Sequence, residues 1–214
     1  MYKKLGGRPL SGSNAAVAQR PWDARLALWL VRPLQGTRVR PNHLTTVRLA
    51  VGLAALACLA SGWPNLGAWL FVLSNLLDHS DGELARLTGH TSRVGHLYDL
   101  ATDALIHVLL FPAIGLGLES SGAAGWGLSA GVVAALAVTA IFYLRHRMEE
   151  AHGKAATAQK SWFGFEAEDV LYLLPLVTAL EGLVPFLIAA AIGAPIGAVL
   201  VGRQYIQCVR GAAG

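Results

Sequence analysis

Four aspartates, Asp78, Asp81, Asp99 and Asp103, sit inside or at the edge of segments apolar enough to cross a membrane. A carboxylate at bilayer depth costs roughly 2.5 kcal/mol or more, so acids placed there are functional candidates by default. On a helix turning 100° per residue, Asp78, Asp81, Gly82 and Ala85 fall within an arc of about 100°. Two acids thus share a face with two of the smallest residues, which leaves room for a ligand. Glu83 points away from that arc. Arg86 lies at its edge, where a guanidinium can take a phosphate in a forked contact. Further on, Gly95, Asp99 and Asp103 follow at i, i+4 and i+8 on one side of the next helix. A short turn between the two helices would bring them together antiparallel, acidic faces meeting. Oxygen-only donors of this kind suit Mg²⁺ or Mn²⁺. Two close ions bridged by shared carboxylates would be arranged for in-line displacement at phosphorus. The bland alternative is a set of acids neutralised by Arg86 and Arg93, or an ion path; two arginines can pair two of the acids, not four.

The elements that must hold these residues are readable from composition. The 214-residue chain is 54% hydrophobic and 14% charged. Soluble domains carry about 25% charged residues, so this is the composition of a polytopic membrane protein. A span needs about 20 apolar residues, and six are expected: roughly 43–61, 66–86, 96–117, 123–145, 166–182 and 185–204. The fifth carries Glu166, Glu168 and Asp169 in its first turns. Nine of the 17 Lys and Arg residues precede or open the first span, Arg48 being the last of them. The others fall in the 2–3 and 4–5 connections and at the C-terminal end, and the 1–2, 3–4 and 5–6 connections have none. The positive-inside rule then puts both termini and the aspartate cluster on the cytoplasmic side of a cell (inner) membrane. The fold class is all-α integral membrane protein: six transmembrane helices after a short juxtamembrane amphipathic helix. Residues 1–40 form a basic N-terminal segment and 41–214 the membrane domain. Within the segment, residues 21–34 place Trp22, Leu26, Trp29 and Leu30 on one stripe, which suits a helix in the headgroup layer or one packed on the cytoplasmic face. No apolar core with a small-residue cleavage site opens the chain, so no removed signal peptide is expected. Cys58 and Cys208 show neither CxxC nor Cys/His spacing, so no disulfide framework or zinc site is indicated. The net charge of +4 follows from orientation, and nucleic-acid binding is not supported.

Asp-x2-Asp-Gly-x2-Ala-Arg-x8-Gly-x3-Asp-x3-Asp, filled by Asp78, Asp81, Gly82, Ala85, Arg86, Gly95, Asp99 and Asp103, resembles the signature of the CDP-alcohol phosphotransferase (CDP-alcohol phosphatidyltransferase) family. Pro41-Asn42-His43-Leu44-Thr45 with Arg48 matches a pattern common at the start of its first span. The resemblance implies that an acceptor alcohol attacks the β-phosphorus of a CDP-alcohol, giving a phosphodiester and CMP. It implies Asp78, Asp81 and Asp99 as metal ligands. Asp103 would be shared between a second ion and the role of general base. It implies that Asn42, Thr45, Asp81, Gly82, Ala85, Arg86 and Ser92 hold the CDP portion. It also implies a membrane-lipid setting and a homodimer.

The substrate pair is less legible. CDP-diacylglycerol with a small polar acceptor is slightly favoured over a CDP-linked headgroup with a lipid or polyol acceptor. Candidate acceptor residues are Arg145, Arg147, Lys154, Glu168 and Arg203, whose mixed company of acids favours neither an anionic nor a cationic acceptor. Gly164 to Asp169 is faintly similar to an acidic segment of choline/ethanolamine phosphotransferases, although acids at a helix start also suit the dipole. His107 reads as a satisfied intramembrane polar residue, and Trp63, Trp69, Trp126 and Trp162 as interfacial anchors. From another class, a membrane ion carrier or scaffold would bind no cytidine nucleotide.

Overall fold

The computed structural model describes residues 22–152 and 167–211, with no strand among them. A short helix, α1 (Trp22–Val31), is followed by a 3-10 turn at Arg32–Leu34 and four long helices. These are α2 (Pro41–Ala60), α3 (Pro64–Thr88), α4 (Arg93–Ser120) and α5 (Gly127–His152). After a 3-10 stretch at Ala167–Leu173 come a six-residue helix, α6 (Leu174–Ala179), and the long α7 (Leu183–Gly211).

Starts and stops follow local chemistry. Pro41 and Pro64 open α2 and α3 at positions where a missing N–H costs nothing. Ser92 caps α4, its hydroxyl accepting from the Gly95 amide at 2.9 Å. Gly89 ends α3 with a left-handed φ of 69°, a conformation glycine adopts without a Cβ penalty.

Four of the helices are long and apolar enough to cross a membrane: α2, α4, α5 and α7. Helix α3 is as long as they are, but Asn75, Asp78, His79 and Asp81 dilute its hydropathy. The expected fifth span takes a different form. Residues 167–179 form a 3-10 stretch and then α6, which Pro175 opens at its first turn. Proline has no N–H to continue an α-ladder from the preceding turn, so the helix restarts there. The expected end of the fourth span also moves, since α5 runs on to His152.

Helix α2 lies at the centre. It packs along both α3 and α4, which touch each other little. The expected pairing of α3 with α4 is therefore indirect: the two acidic helices meet across α2. Helix α5 packs between α4 and α7, and α1 lies on α3. Ala27, Leu28 and Val31 of α1 are buried while Leu26, Trp29 and Leu30 face outward, so the helix is packed on one side and apolar on the other. The Trp22 side chain is outside the described residues.

The core runs through Leu59, Phe71, Ile106, Leu110, Ile114, Leu174 and Leu187. Most span surface stays apolar and exposed; only 11% of the α7 window is buried. That is a surface for lipid, and Trp63, Trp69 and Trp126 are exposed on it. Trp162 lies outside the described residues.

Small residues let the backbones close. A Cβ on Gly115 would sit 2.2 Å from the Gly127 carbonyl oxygen across the α4–α5 contact. Gly115→Ala should therefore cost about 1–3 kcal/mol of stability through overpacking. Gly125→Ala, with nothing within 4 Å of the new methyl, should leave the thermal midpoint in detergent unchanged.

Candidate active site

Each acid of the cluster is reached by a side chain of α2. Thr45 Oγ1 donates to Asp81 Oδ2 at 2.6 Å. One turn deeper, Arg48 pairs with the other three. Its Nη1 contacts Asp78 Oδ1, and also Asp99 Oδ1 at 3.0 Å, while Nη2 reaches Asp103 Oδ1 at 2.5 Å. Arg48 is completely buried, and its three partners are roughly a quarter to a third exposed at 28%, 36% and 26%. The guanidinium therefore lies under the cluster, with the carboxylates between it and the open side. Ser74 Oγ donates to the Arg48 carbonyl oxygen at 3.1 Å, tying α3 to the same turn of α2.

Arg48 was the residue sequence reasoning missed. It was counted among the charges ahead of the membrane, yet it is the eighth residue of α2, about 10 Å along the helix. A buried cation in an apolar span carries the same functional presumption as a buried acid. The spacing of Thr45, Arg48 and Gly52 on one helix face was the available signal. Arg86 is not a partner of the aspartates. Its Nη2 donates to Glu83 Oε1 at 2.8 Å, and Glu83 is buried.

Asp78, Asp81 and Asp99 each offer an oxygen, all within 4.8 Å of one another. Opposite ligands of an octahedral Mg²⁺ lie about 4.2 Å apart, so a three-carboxylate set with this spread fits a hard divalent ion. Asp103 stands outside that group, held by Arg48 and by His107, whose Nδ1 is 3.0 Å from Asp103 Oδ1.

Beside the three acids opens a cleft of about 230 Å³. It brings together every residue expected to hold the nucleotide: Asn42, Thr45, Asp81, Gly82, Ala85, Arg86 and Ser92. His90 and His96 also line it. A Cβ on Gly95 would meet Asn42 Oδ1 at 2.8 Å and Ser92 Oγ at 3.0 Å, so those two side chains would have to shift to admit it. At Gly82 a Cβ would approach Arg86 Nη2 at 3.5 Å, so its hydrogen keeps the cleft wide beside the guanidinium.

Asp103 lines a second cavity, of about 370 Å³, with Thr139, Phe142, Tyr143, Arg145, His146 and Glu149 of α5. Arg145 also borders a larger apolar groove of about 630 Å³ with His107, Phe111, Phe142 and Phe186. Of the expected acceptor residues, Arg145 alone lies in these cavities among the described residues. Arg147 and Arg203 are exposed elsewhere on α5 and α7. Lys154 and the Glu168 side chain lie outside the described residues.

Losing the Arg48 charge should be severe. Arg48→Met leaves three partly buried carboxylates without a fixed counter-charge, for a loss of about 3 kcal/mol. That is the low end for a broken buried pair, because the partners are partly exposed. Thermal unfolding in detergent should show the lower midpoint. Excess Mg²⁺ should raise it more in the variant than in the parent protein.

Comparison with known proteins places this geometry in context. A family profile described as CDP-alcohol phosphatidyltransferase matches residues 38–202. The chain is 31% identical over 123 residues to a bifunctional IPC transferase and DIPP synthase of Rubrobacter xylanophilus, covering 56% of this chain and 27% of that protein. It is 39% identical over 80 residues to the inner membrane protein YnjF of Escherichia coli, covering 37% of this chain and 38% of that one. The chain thus spans well under half the length of these curated relatives. A crystal structure of phosphatidylinositol phosphate synthase from Mycobacterium tuberculosis with CDP-DAG bound superposes with a TM-score of 0.61 at 19% identity, covering 87% of this chain and 92% of that one. At that identity the likeness is one of fold.

Proposed function

Because the chain belongs to the CDP-alcohol phosphatidyltransferase family, we propose that it moves a substituted phosphate from a CDP-alcohol to an acceptor alcohol at the α2–α3–α4 cluster, releasing CMP. The observation that carries this reading is the cleft that gathers Asn42, Thr45, Gly82, Ala85, Arg86 and Ser92 against three convergent carboxylates. The apolar helices and the relation to an inner membrane protein make this a membrane protein. The count of positive charges supports a cytoplasmic cleft and cytoplasmic termini, with α1 in the headgroup layer.

In the proposed reaction the cytidine diphosphate lies in the cleft. The N-terminal ends of α2 and α4 open onto it through Asn42 and Ser92, and their amides and dipoles favour a diphosphate. Arg86 lies at the same mouth with a 61% exposed side chain, placed to exchange Glu83 for a phosphate. Asp78, Asp81 and Asp99 would hold Mg²⁺ or Mn²⁺, with Asp103 shared if two ions bind. Such ions would neutralise the diphosphate and the charge on the departing CMP. Asp103 takes the acceptor hydroxyl proton as the new oxygen–phosphorus bond forms and the bond to CMP breaks.

An in-line displacement needs the acceptor opposite the leaving group, and the cavity that Asp103 lines with Arg145 is the candidate place for it. The polar side chains on its wall, Asp103, Thr139, Arg145, His146 and Glu149, support CDP-diacylglycerol as donor and a small polar alcohol as acceptor, with acyl chains along the apolar groove. A CDP-linked headgroup with a lipid acceptor is a second reading, favoured by the approach of that groove to His107 beside Asp103. A homodimer belongs to the same proposal; α7 has exposed surface for it, and native mass spectrometry would read it.

The deciding experiment incubates the protein in lipid with Mg²⁺, CDP-diacylglycerol or CDP-headgroup donors, and a panel of alcohols. CMP should appear with one donor class and stop on chelation; no CMP from any pair would remove the reading. Asp103→Asn should abolish turnover while CDP-alcohols still raise the thermal midpoint. Arg86→Lys keeps the charge but loses the fork, so it should raise donor KM or lower kcat by about tenfold. Wild-type kinetics there would take Arg86 out of the site.

A further inference from the structure

His107 is the polar residue of α4 that the reaction above does not use. Its Nδ1 lies 3.0 Å from Asp103 Oδ1 and 3.0 Å from the Asp103 carbonyl oxygen. An ionised carboxylate and a carbonyl can only accept, so Nδ1 carries the proton and shares it between them. The ring is also boxed in. It stands edge-on to Phe71 at 5.7 Å and to Phe142 at 6.1 Å, and it forms part of the wall of the apolar groove. An aromatic hydrocarbon would fill that box equally well, so packing alone does not account for an imidazole.

Two donors converge on one oxygen of Asp103: Arg48 Nη2 from α2 and His107 Nδ1 from the next turn of α4. The carboxylate is thereby fixed from two directions, apart from the three acids that share an oxygen cluster. We infer that His107 is a positioning residue which, with Arg48, clamps Asp103 through Oδ1 so that Oδ2 is presented to the acceptor hydroxyl. The clamp needs one N–H and no change of charge. A neutral imidazole suffices, as does any side chain that puts an amide N–H in the same place. This rests on the reading of Asp103 as the acceptor-side base, and it adds a specific demand: the fourth acid must be aimed by hydrogen bonds as well as by a metal.

His107→Asn and His107→Phe separate the two accounts. Asn keeps an N–H near the Nδ1 position, and Phe keeps the ring volume and loses the donor. Full-length protein in lipid should show kcat in the Phe variant reduced by about tenfold or more, the size expected for loss of a hydrogen bond to a charged group. Donor KM should be unchanged. The Asn variant should retain kcat within about threefold, since the donor is kept. A Phe variant as active as the parent, equal losses in both variants, or a loss appearing in donor KM would each overturn the clamp. Absence of CMP from the parent protein would remove the reaction and the clamp with it. CMP from the parent together with an active Phe variant would remove the clamp alone.

Discussion

The structure depends on a single buried cation. Three carboxylate oxygens within 4.8 Å of one another repel by about 3 kcal/mol per pair at an effective dielectric of 20, and a fourth acid stands one turn away. Such a group does not assemble in an apolar bundle unless positive charge comes with it. Arg48 supplies that charge from inside the fold, at a point solvent does not reach, and it contacts acids on both neighbouring helices. The arginine also explains why α3 and α4 need not pack on each other. Their acidic ends converge because both are drawn to the same side chain of α2.

That requirement shapes the packing around α2. A cation fixed from one helix can bridge two others only if all three backbones approach closely at that level. One turn beyond Arg48, Gly52 faces Ser74 and Ile106, and a Cβ there would come within 2.9 Å of Ser74 Oγ. Ser74 in turn donates to the Arg48 carbonyl. The small residue, the serine and the arginine therefore act together, setting the distance between helices and holding the turn that carries the charge. At the open end, Thr45 and Asn42 extend the same face of α2 into the cleft, so one helix face runs from buried counter-charge to ligand site.

What could be read from the sequence, and what could not, follows from how charge was weighed. The aspartates stood out because acids in apolar segments have no ordinary explanation. Gly82, Ala85 and Gly95 could be placed because small residues beside acids mark room for a ligand. Arg48 escaped because an arginine near a span boundary has an ordinary explanation as an interface charge; its depth appears only once Pro41 fixes where the helix begins. Arg86 could be placed beside the small-residue face from its helical position, but its pairing with Glu83, one turn back on the same helix, could not. The backbone form of the fifth segment was not legible in composition: within residues 167–179, Pro175 stands at the start of the short helix that follows a 3-10 stretch. Hydropathy registers apolar length and takes no account of a backbone that cannot continue its hydrogen bonds.

The site is asymmetric in a way that suits chemistry between a nucleotide and a membrane. Asp81 and Asp99 line a cleft at helix N-termini, whereas Asp103 lines a cavity continuous in lining with an apolar groove through Phe142 and Arg145. Asp103 is the acid on the boundary. On the proposed reading, were it drawn into the three-acid group, all four carboxylates would face the nucleotide, and none would be left for the acceptor hydroxyl. Arg48 and His107 both address its Oδ1, one from beneath the cluster and one from the groove wall. On the proposed reading, the same bundle then separates two tasks that a symmetric cage of acids could not: binding a cation against a diphosphate, and accepting a proton from an alcohol on the opposite face.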